Sequence, residues 1–398
     1  MINERMRALG AARSEIRELF EYAKARKAEI GEENVFDFSL GNPSVPCPDE
    51  VSASMTALLT ECDSIDLHGY TSAQGDATVR AAIANHIKRT HGFDVSGDNL
   101  YMTVGAAAAL TCSLTALVCP GEEVILLAPY FPEYRVFAER CGGVVREVKC
   151  TPDSFLPDIS AIEAAINEKT AAIIVNSPNN PTGAVYGEEI LSALSKVLKK
   201  SEEKYSRSIY LLADEPYREL VYDGIDVPYI PKLYHNTVVC YSYSKSLSIP
   251  GERIGYCLVS PRAKNAVDIY YAICGAGRAL GFVCAPSLLQ KILPSCIGKS
   301  SDIRVYDQNR QLLLTNLQEY GYETVYPQGA FYLFVKAPGG DARVFSEMAK
   351  RHELMLVPSD SFGYRGYVRI SYCVKTEQIK RALPAFRNLA LETGLIKR

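Results

Sequence analysis

The chain has 398 residues, with 43 Lys and Arg against 46 Asp and Glu, for a formal net charge of −3. So balanced a charge gives no electrostatic reason to hold nucleic acid or an anionic membrane. With 22% charged and 47% hydrophobic residues, the make-up is that of a globular protein and excludes a disordered one.

The length suggests two domains. The 12 Cys are scattered without a C-x-x-C pair, so neither a zinc ribbon nor a disulfide scaffold is supported, and free thiols in a reducing cytoplasm are expected. The five His (His68, His86, His91, His235 and His352) form no ligand-spaced group, so no metal is expected.

Taken in chain order, the first 30 residues carry too many charges for a signal peptide, among them Glu4, Arg5, Arg7 and Arg17. Ser14 can cap an amphipathic helix whose face is Ile16, Leu19, Phe20 and Ala23. Phe36 to Pro43 reads as an extended piece entering a turn. Val79, Ala82, Ile83, His86 and Ile87 form a second helical face that stops at Gly92. The longest mostly apolar run, Val104 to Cys119, has 16 residues and ends at Pro120-Gly121. That is shorter than the ~20 residues of a membrane span, so it reads as a buried helix.

From about residue 100 short apolar runs alternate with helical patterns. The runs are Glu123–Ala128, Ala171–Val175, Ile209–Ala213 and Thr237–Tyr241. Runs apolar on both faces suit strands covered by helices on both sides, which implies an α/β fold with a mainly parallel sheet. After about residue 290 a long helix through Val305 and Leu312 leads to alternating strands at Gly329–Val335 and Tyr367–Ser371. Helices near 341–352 and 376–392 follow, and Pro384 should kink or interrupt the last one.

Ligands of α/β sheets sit beyond the carboxyl ends of the strands. The residues there are Pro129-Tyr-Phe131, Asn176 to Gly183, Asp214-Glu-x-Tyr217 and Tyr241-Ser-Tyr-Ser-Lys245. Singly, each has an ordinary structural explanation: a helix cap, core packing or a solvated lysine. As a set they bring polar, aromatic and cationic groups to one edge.

Ser242-x-Ser244-Lys245 with Arg253 eight residues on resembles the cofactor-lysine motif of pyridoxal-phosphate-dependent aminotransferases. The group is class I/II, aspartate-aminotransferase-like, with fold type I. Asn180-Pro-Thr-Gly183, Asp214-x-x-Tyr217, Tyr70 with Gly75 and Arg80, and Arg369 follow that family's order, so the resemblance runs from Gly41 to Arg369. It implies a large domain, 46–290, with a seven-stranded sheet, and a smaller α+β domain from 1–45 and 291–398. It also implies pyridoxal 5'-phosphate, amino acid and 2-oxo acid substrates, and a homodimer in which Tyr70 reaches the neighbouring subunit's phosphate.

By the same resemblance Lys245 forms the imine with the cofactor aldehyde and carries the proton. Asp214 keeps the ring nitrogen protonated, because an adjacent carboxylate favours the charged form. Asn180 and Tyr217 bond the ring hydroxyl oxygen. Phe131 stacks on the ring, in place of the Trp common in relatives and absent from this chain. Gly105, Ala106 and Ala107 at a helix start, with Ser242 and Arg253, cradle the phosphate. No hydroxyl stands at Ala106 or Ala107, so one contact there is left to backbone or water. Arg369 takes the substrate carboxylate unless it faces solvent from its strand, and Gly41 closes over the substrate. Relatives suggest cis bonds at Ala128-Pro129 and Asn180-Pro181.

The reaction expected is transamination, with a β-eliminating C–S lyase as the same-fold alternative. A regulator built on such a domain is set aside, because only one helix precedes Gly41. Substrate choice is open. Arg278, 25 residues after Arg253 in a Gly-rich stretch that reads as a loop, is the one candidate for a second carboxylate and gives a lean toward acidic substrates.

Overall fold

The computed structural model describes residues 1–12 and 14–397. Its centre is a seven-stranded sheet in the spatial order Leu100–Thr103, Gly255–Val259, Thr237–Ser242, Tyr210–Asp214, Thr170–Asn176, Glu123–Ala128, Val144–Lys149. Gly255–Val259 pairs antiparallel with both of its neighbours, and every other pairing from Thr237–Ser242 outward is parallel. The apolar runs read from the sequence are the central strands, and Glu123–Ala128, Thr170–Asn176 and Thr237–Ser242 are buried throughout. The outer strand Val144–Lys149 carries Arg146, Glu147 and Lys149 on a largely solvated edge, which hides it from a search for apolar runs.

Helix Ala106–Leu117 packs on this sheet through small residues, with Ala106, Ala108, Ala109, Leu110, Cys112, Ser113 and Leu114 all buried. Its cap is Gly105, whose φ of +88° disfavours a side chain. Other helix ends follow local rules. Ser14 accepts a bond from the Arg17 N–H, and Asp76 caps Ala77–His91 through the Thr78 and Val79 N–H groups, with Gly92 left-handed at the far end. Among the described residues, no helix is long and apolar enough to cross a membrane.

A second, three-stranded antiparallel sheet joins Tyr332–Lys336, Tyr367–Ser371 and Val357–Pro358. Helices Arg304–Glu319, Ala342–Lys350 and Thr376–Glu392 bury their apolar faces beside it. The N-terminal piece Phe36–Asp37 pairs in parallel with Leu354–Met355, which ties the start of the chain to this C-terminal unit.

Four expectations need correction. Helix Thr376–Glu392 continues uninterrupted through Pro384. Pro384 and Lys380, whose carbonyl loses its donor, are both exposed, while Ile379, Ala382, Phe386 and Leu389 anchor the opposite face. The division at 290/291 falls inside helix Ser287–Cys296, whose Leu289, Ile292, Leu293 and Cys296 belong to the core of the large sheet. Arg278 lies on a helix, Ala266–Ala279, and not in a loop. A glycine stands at 277 because the helix presses on a ring. A Cβ there would sit 2.0 Å from the Tyr101 hydroxyl oxygen and 2.8 Å from its ring carbon. Two α-helices, Glu4–Ala11 and Glu15–Ile30, precede Gly41 where one was expected, because Glu4–Ala11, capped by Asn3, has no buried residue and so no periodic face to read.

Gly277→Ala separates these causes. Helix propensity alone would stabilise the variant by ~1 kcal/mol. Overpacking against the buried Tyr101 ring costs ~1–3 kcal/mol. Urea unfolding should show a net loss of stability, and a gain would mean that Tyr101 moves freely.

Candidate active site

The carboxyl ends of the parallel strands open into a cavity of about 290 Å³ facing the three-stranded sheet. Asn176, Asp214 and Ser242 are the last residues of their strands. Of the residues singled out in the sequence, Gly41, Ala106, Ala107, Phe131, Asn180, Asp214, Tyr217, Ser242, Lys245, Arg253 and Arg369 line this cavity. Gly105 stands just behind it, packed so close to Arg253 that a Cβ would lie 2.7 Å from a guanidinium nitrogen. Tyr70 and Arg278 are exposed and do not line it.

The loop after Thr170–Asn176 is shaped by amide side chains. Asn176 Oδ1 accepts from the Asn180 N–H at 2.8 Å, and Asn179 Oδ1 accepts from the N–H and hydroxyl of Thr182 at 3.1 and 2.8 Å. Gly183, with φ of +73°, lies where a Cβ would meet Pro327 at 2.5 Å. The bonds before Pro129 and Pro181 are both cis, as expected, and so is Ser177-Pro178.

Asp214 is the electrostatic centre. Its Oδ2 accepts from the Tyr134 hydroxyl, and Asn176 Nδ2 donates to its backbone carbonyl at 3.0 Å. Its Oδ1 is buried with no hydrogen-bond partner. Burial pushes the carboxyl up to about 7, although the Tyr134 bond opposes the rise. A dry carboxylate with one free oxygen suits a cation such as a protonated ring nitrogen.

Lys245 sits on the short helix Tyr243–Ser246, which Ser242 caps. Its Nζ donates to the Gly41 carbonyl at 2.7 Å. Burial, helped by the charges of Arg253 and Arg369, brings the amine down to about 8. Gly41 has no room for a side chain, since a Cβ would lie 2.1 Å from the Tyr332 hydroxyl. That hydroxyl pairs with the Tyr217 hydroxyl at 2.9 Å.

Beside the N-terminus of Ala106–Leu117, Ser242 and Ser244 hydroxyls lie 2.7 Å apart, and Arg253 Nη1 donates to Ser244 at 3.2 Å. Helix N–H groups, hydroxyls and a guanidinium together suit a phosphate. Arg369 is buried on its strand. It donates to Asn180 Oδ1 at 3.0 Å and to the Ser39 carbonyl at 2.5 Å, and it lies over the Tyr332 ring at 4.5 Å. Its Nε has no partner. These donor and acceptor groups fit pyridoxal 5'-phosphate with an amino acid beside it.

Asn176 and Ser244, named in the sequence segments but given no role there, also line the cavity, as do Tyr134 and Tyr332, which were not singled out in the sequence. Tyr134 follows Phe131 by one helical turn, the one local signal that could have found it. Tyr332 is one of 25 Tyr and looks like core.

Asp214 makes the stability of the cofactor-free protein pH-dependent. Its folded carboxyl titrates near 7 against 3.8 unfolded, so folding takes up a proton between those values and stability falls as pH rises through them. The full cost, roughly 4 kcal/mol, is present above pH 7 and absent below pH 4. Cofactor-free Asp214→Asn should therefore resist urea better than its parent at pH 8 and match it near pH 4. A pH-independent difference would contradict an uncompensated buried carboxylate.

A family model for aminotransferase class I and II matches residues 33–386. The aspartate aminotransferase of Thermotoga maritima is 29% identical, covering 91% of this chain and 93% of its own. An aminotransferase structure from Eubacterium rectale superposes with a TM-score of 0.97 at 52% identity, over 98% of this chain and 99% of that one. Aspartate aminotransferase from Thermus thermophilus with maleate superposes with a TM-score of 0.87 at 27% identity, again over 98% and 99%. With the cavity and its lysine at the strand ends, this match over most of the length makes the chain a member of the class I and II aminotransferases, pyridoxal-phosphate-dependent transaminases of fold type I.

Proposed function

We propose that three side chains divide the work of this transaminase: Lys245 moves the proton, Asp214 balances the cofactor ring, and Arg369 holds the substrate's α-carboxylate. The observation that carries this reading is the pair of buried, unpartnered atoms, Asp214 Oδ1 and Arg369 Nε, on residues lining one cavity with the Lys245 amine. Bound pyridoxal phosphate supplies a carrier for the amino group and a ring that withdraws electrons from the α-carbon.

Burial holds the Lys245 amine near 8, so a useful fraction is uncharged and can accept the proton of the substrate α-carbon. Tyr134 fixes Asp214 so that its free oxygen is left for the ring nitrogen. Asn180 and Tyr217 are the donors for the ring hydroxyl oxygen, and Phe131 covers the ring. Gly105, Ala106, Ala107, Ser242 and Arg253 hold the phosphate. The named relatives are aminotransferases, which does not favour the lyase alternative.

The working unit in this reading is a homodimer, with a large unit and a smaller one that part near residues 298–301. Tyr70, 90% exposed, supports the dimer, because so bare an aromatic side chain suits a partner's surface. Two facts bear on side-chain specificity. Ile16, Leu40 and Phe137 give the cavity an apolar wall, and its cations are Lys245, Arg253 and Arg369 alone among the described residues. Two of the three relatives named above are aspartate aminotransferases, one of them solved with maleate, and the third is named only as an aminotransferase. The acidic reading therefore needs a cation from outside the chain, and the partner subunit's Arg278 is the candidate.

Borohydride reduction of the holoenzyme followed by peptide mapping should leave the pyridoxyl group on Lys245, and a label on another lysine rejects the assignment. Substrate panels test the arginines. A charge-assisted hydrogen bond is worth ~1.5–3 kcal/mol, or ~10–150-fold. Arg278→Ala should cost about that factor in kcat/KM for aspartate and glutamate while sparing alanine, whereas Arg369→Ala should damage all three. An Arg278→Ala enzyme unchanged on aspartate leaves the apolar wall as the determinant.

A further inference from the structure

We propose that a second cavity, behind the segment that carries Lys245, binds a small organic ammonium ion. The cavity measures about 400 Å³, within the ~300–1,000 Å³ usual for small-molecule sites. It shares two chain segments with the active site and takes the other residues of each. Along 214–219, Asp214, Pro216 and Tyr217 face the active site, while Glu215, Arg218 and Glu219 face the second cavity. Along 241–245, Ser242, Ser244 and Lys245 face the first, and Tyr241 and Tyr243 the second. Both segments are the turns that leave the ends of strands Tyr210–Asp214 and Thr237–Ser242, so they separate the two cavities and present side chains to each.

The wall is aromatic. Tyr241 stacks on Tyr256 at 4.9 Å and meets Tyr243 edge-on at 5.0 Å, and all three are buried. Tyr229 is 7% exposed, and its hydroxyl has no hydrogen-bond partner. The Tyr229 ring already stacks on His91 at 4.4 Å with the Arg218 guanidinium over it at 5.2 Å, so Tyr241, Tyr243 and Tyr256 are the rings left to attract a cation.

The charges of the cavity call for the same ligand. Arg218 is spent, because its fork donates to both Glu215 oxygens at 2.7 and 2.6 Å and to the carbonyls of Val227 and Pro228. Lys299 is paired with Glu50 at 2.6 Å. Burial holds His86 below its usual range and His91 down to about 4, so neither adds positive charge near neutrality.

That leaves Glu219. Its Oε1 accepts from the Tyr241 hydroxyl at 2.9 Å, and its Oε2 is buried without a partner. Burial holds this carboxyl above its usual range even with Arg218 nearby. Asp226, exposed at the rim, adds a second negative charge with no ion pair among the described residues. An aromatic wall with an unbalanced carboxylate recognises an organic cation, as Asp214 on the opposite face suits the charged ring nitrogen.

Isothermal titration of the holoenzyme with tetramethylammonium chloride, against sodium chloride at equal ionic strength, tests the site without an amine that attacks the cofactor. We expect saturable binding that persists in saturating maleate. Glu219→Gln should weaken it about tenfold or more. Ile225→Lys, at a partly exposed position of the wall, should block it with a tethered ammonium while avoiding changes to the buried carboxylate. No heat beyond the sodium control, binding indifferent to both variants, or displacement by maleate would each overturn the proposal.

Discussion

One buried carboxylate organises this active site. Asp214 ends a central strand of the sheet, where water is excluded and a charge is costly unless it is paired. Tyr134 and Asn176 hold it from two sides, yet one oxygen is left bare. A fold that only needed stability would fill this place with an apolar residue. The sheet instead keeps a costly acceptor open to a cation, and in the function proposed above the cofactor ring supplies that cation. Binding and folding are therefore linked at this residue, and the pH range of the linkage is set by how far burial lifts its carboxyl.

The second sheet matters because it closes the site over that carboxylate. Arg369 and Tyr332 come from its strands, and Tyr332 touches Tyr217, in the turn after strand Tyr210–Asp214, through paired hydroxyls. The same hydroxyl presses on Gly41, whose carbonyl accepts from Lys245 Nζ. A single chain of contacts thus runs from the small sheet through the N-terminal segment to the amine. Any side chain at 41 would push Tyr332 away and disturb both ends. The lowered basicity of Lys245 follows from this closure, since desolvation is its largest cause.

The sequence carried the parts of this arrangement that are local. Apolar runs mark buried strands because both of their faces are covered, and caps such as Ser14, Asp76 and Gly92 mark helix ends because the bonds they make are near in sequence. The residues of the site were legible through the resemblance, since their spacing reflects strand ends that must meet one ligand. What stayed hidden depends on distant partners. Tyr332 and Tyr134 are ordinary aromatics until Tyr217 and Asp214 are placed beside them. Gly277 suggested a loop, but it serves a helix that Tyr101 approaches closely. Pro384 suggested a break, but the five buried residues of the helix hold it together.

Two buried arginines show how a structural charge differs from a functional one. Arg310 and Arg369 are both among the largest fully buried side chains. Arg310 donates through Nε to Asp307, through Nη1 to Asp223 and the Pro327 carbonyl, and through Nη2 to Asp223 again. Every nitrogen of its fork has a partner, and two carboxylates balance its charge. Arg369 has no carboxylate. Its partners are an amide oxygen, a carbonyl and the faces of two rings, and its Nε has none. Burial depresses its basicity for that reason. A guanidinium desolvated, oriented by neutral acceptors and denied a counter-ion is a poor way to stabilise a fold. It is a good way to attract a carboxylate, and in the function proposed above the missing charge is the one that the substrate brings.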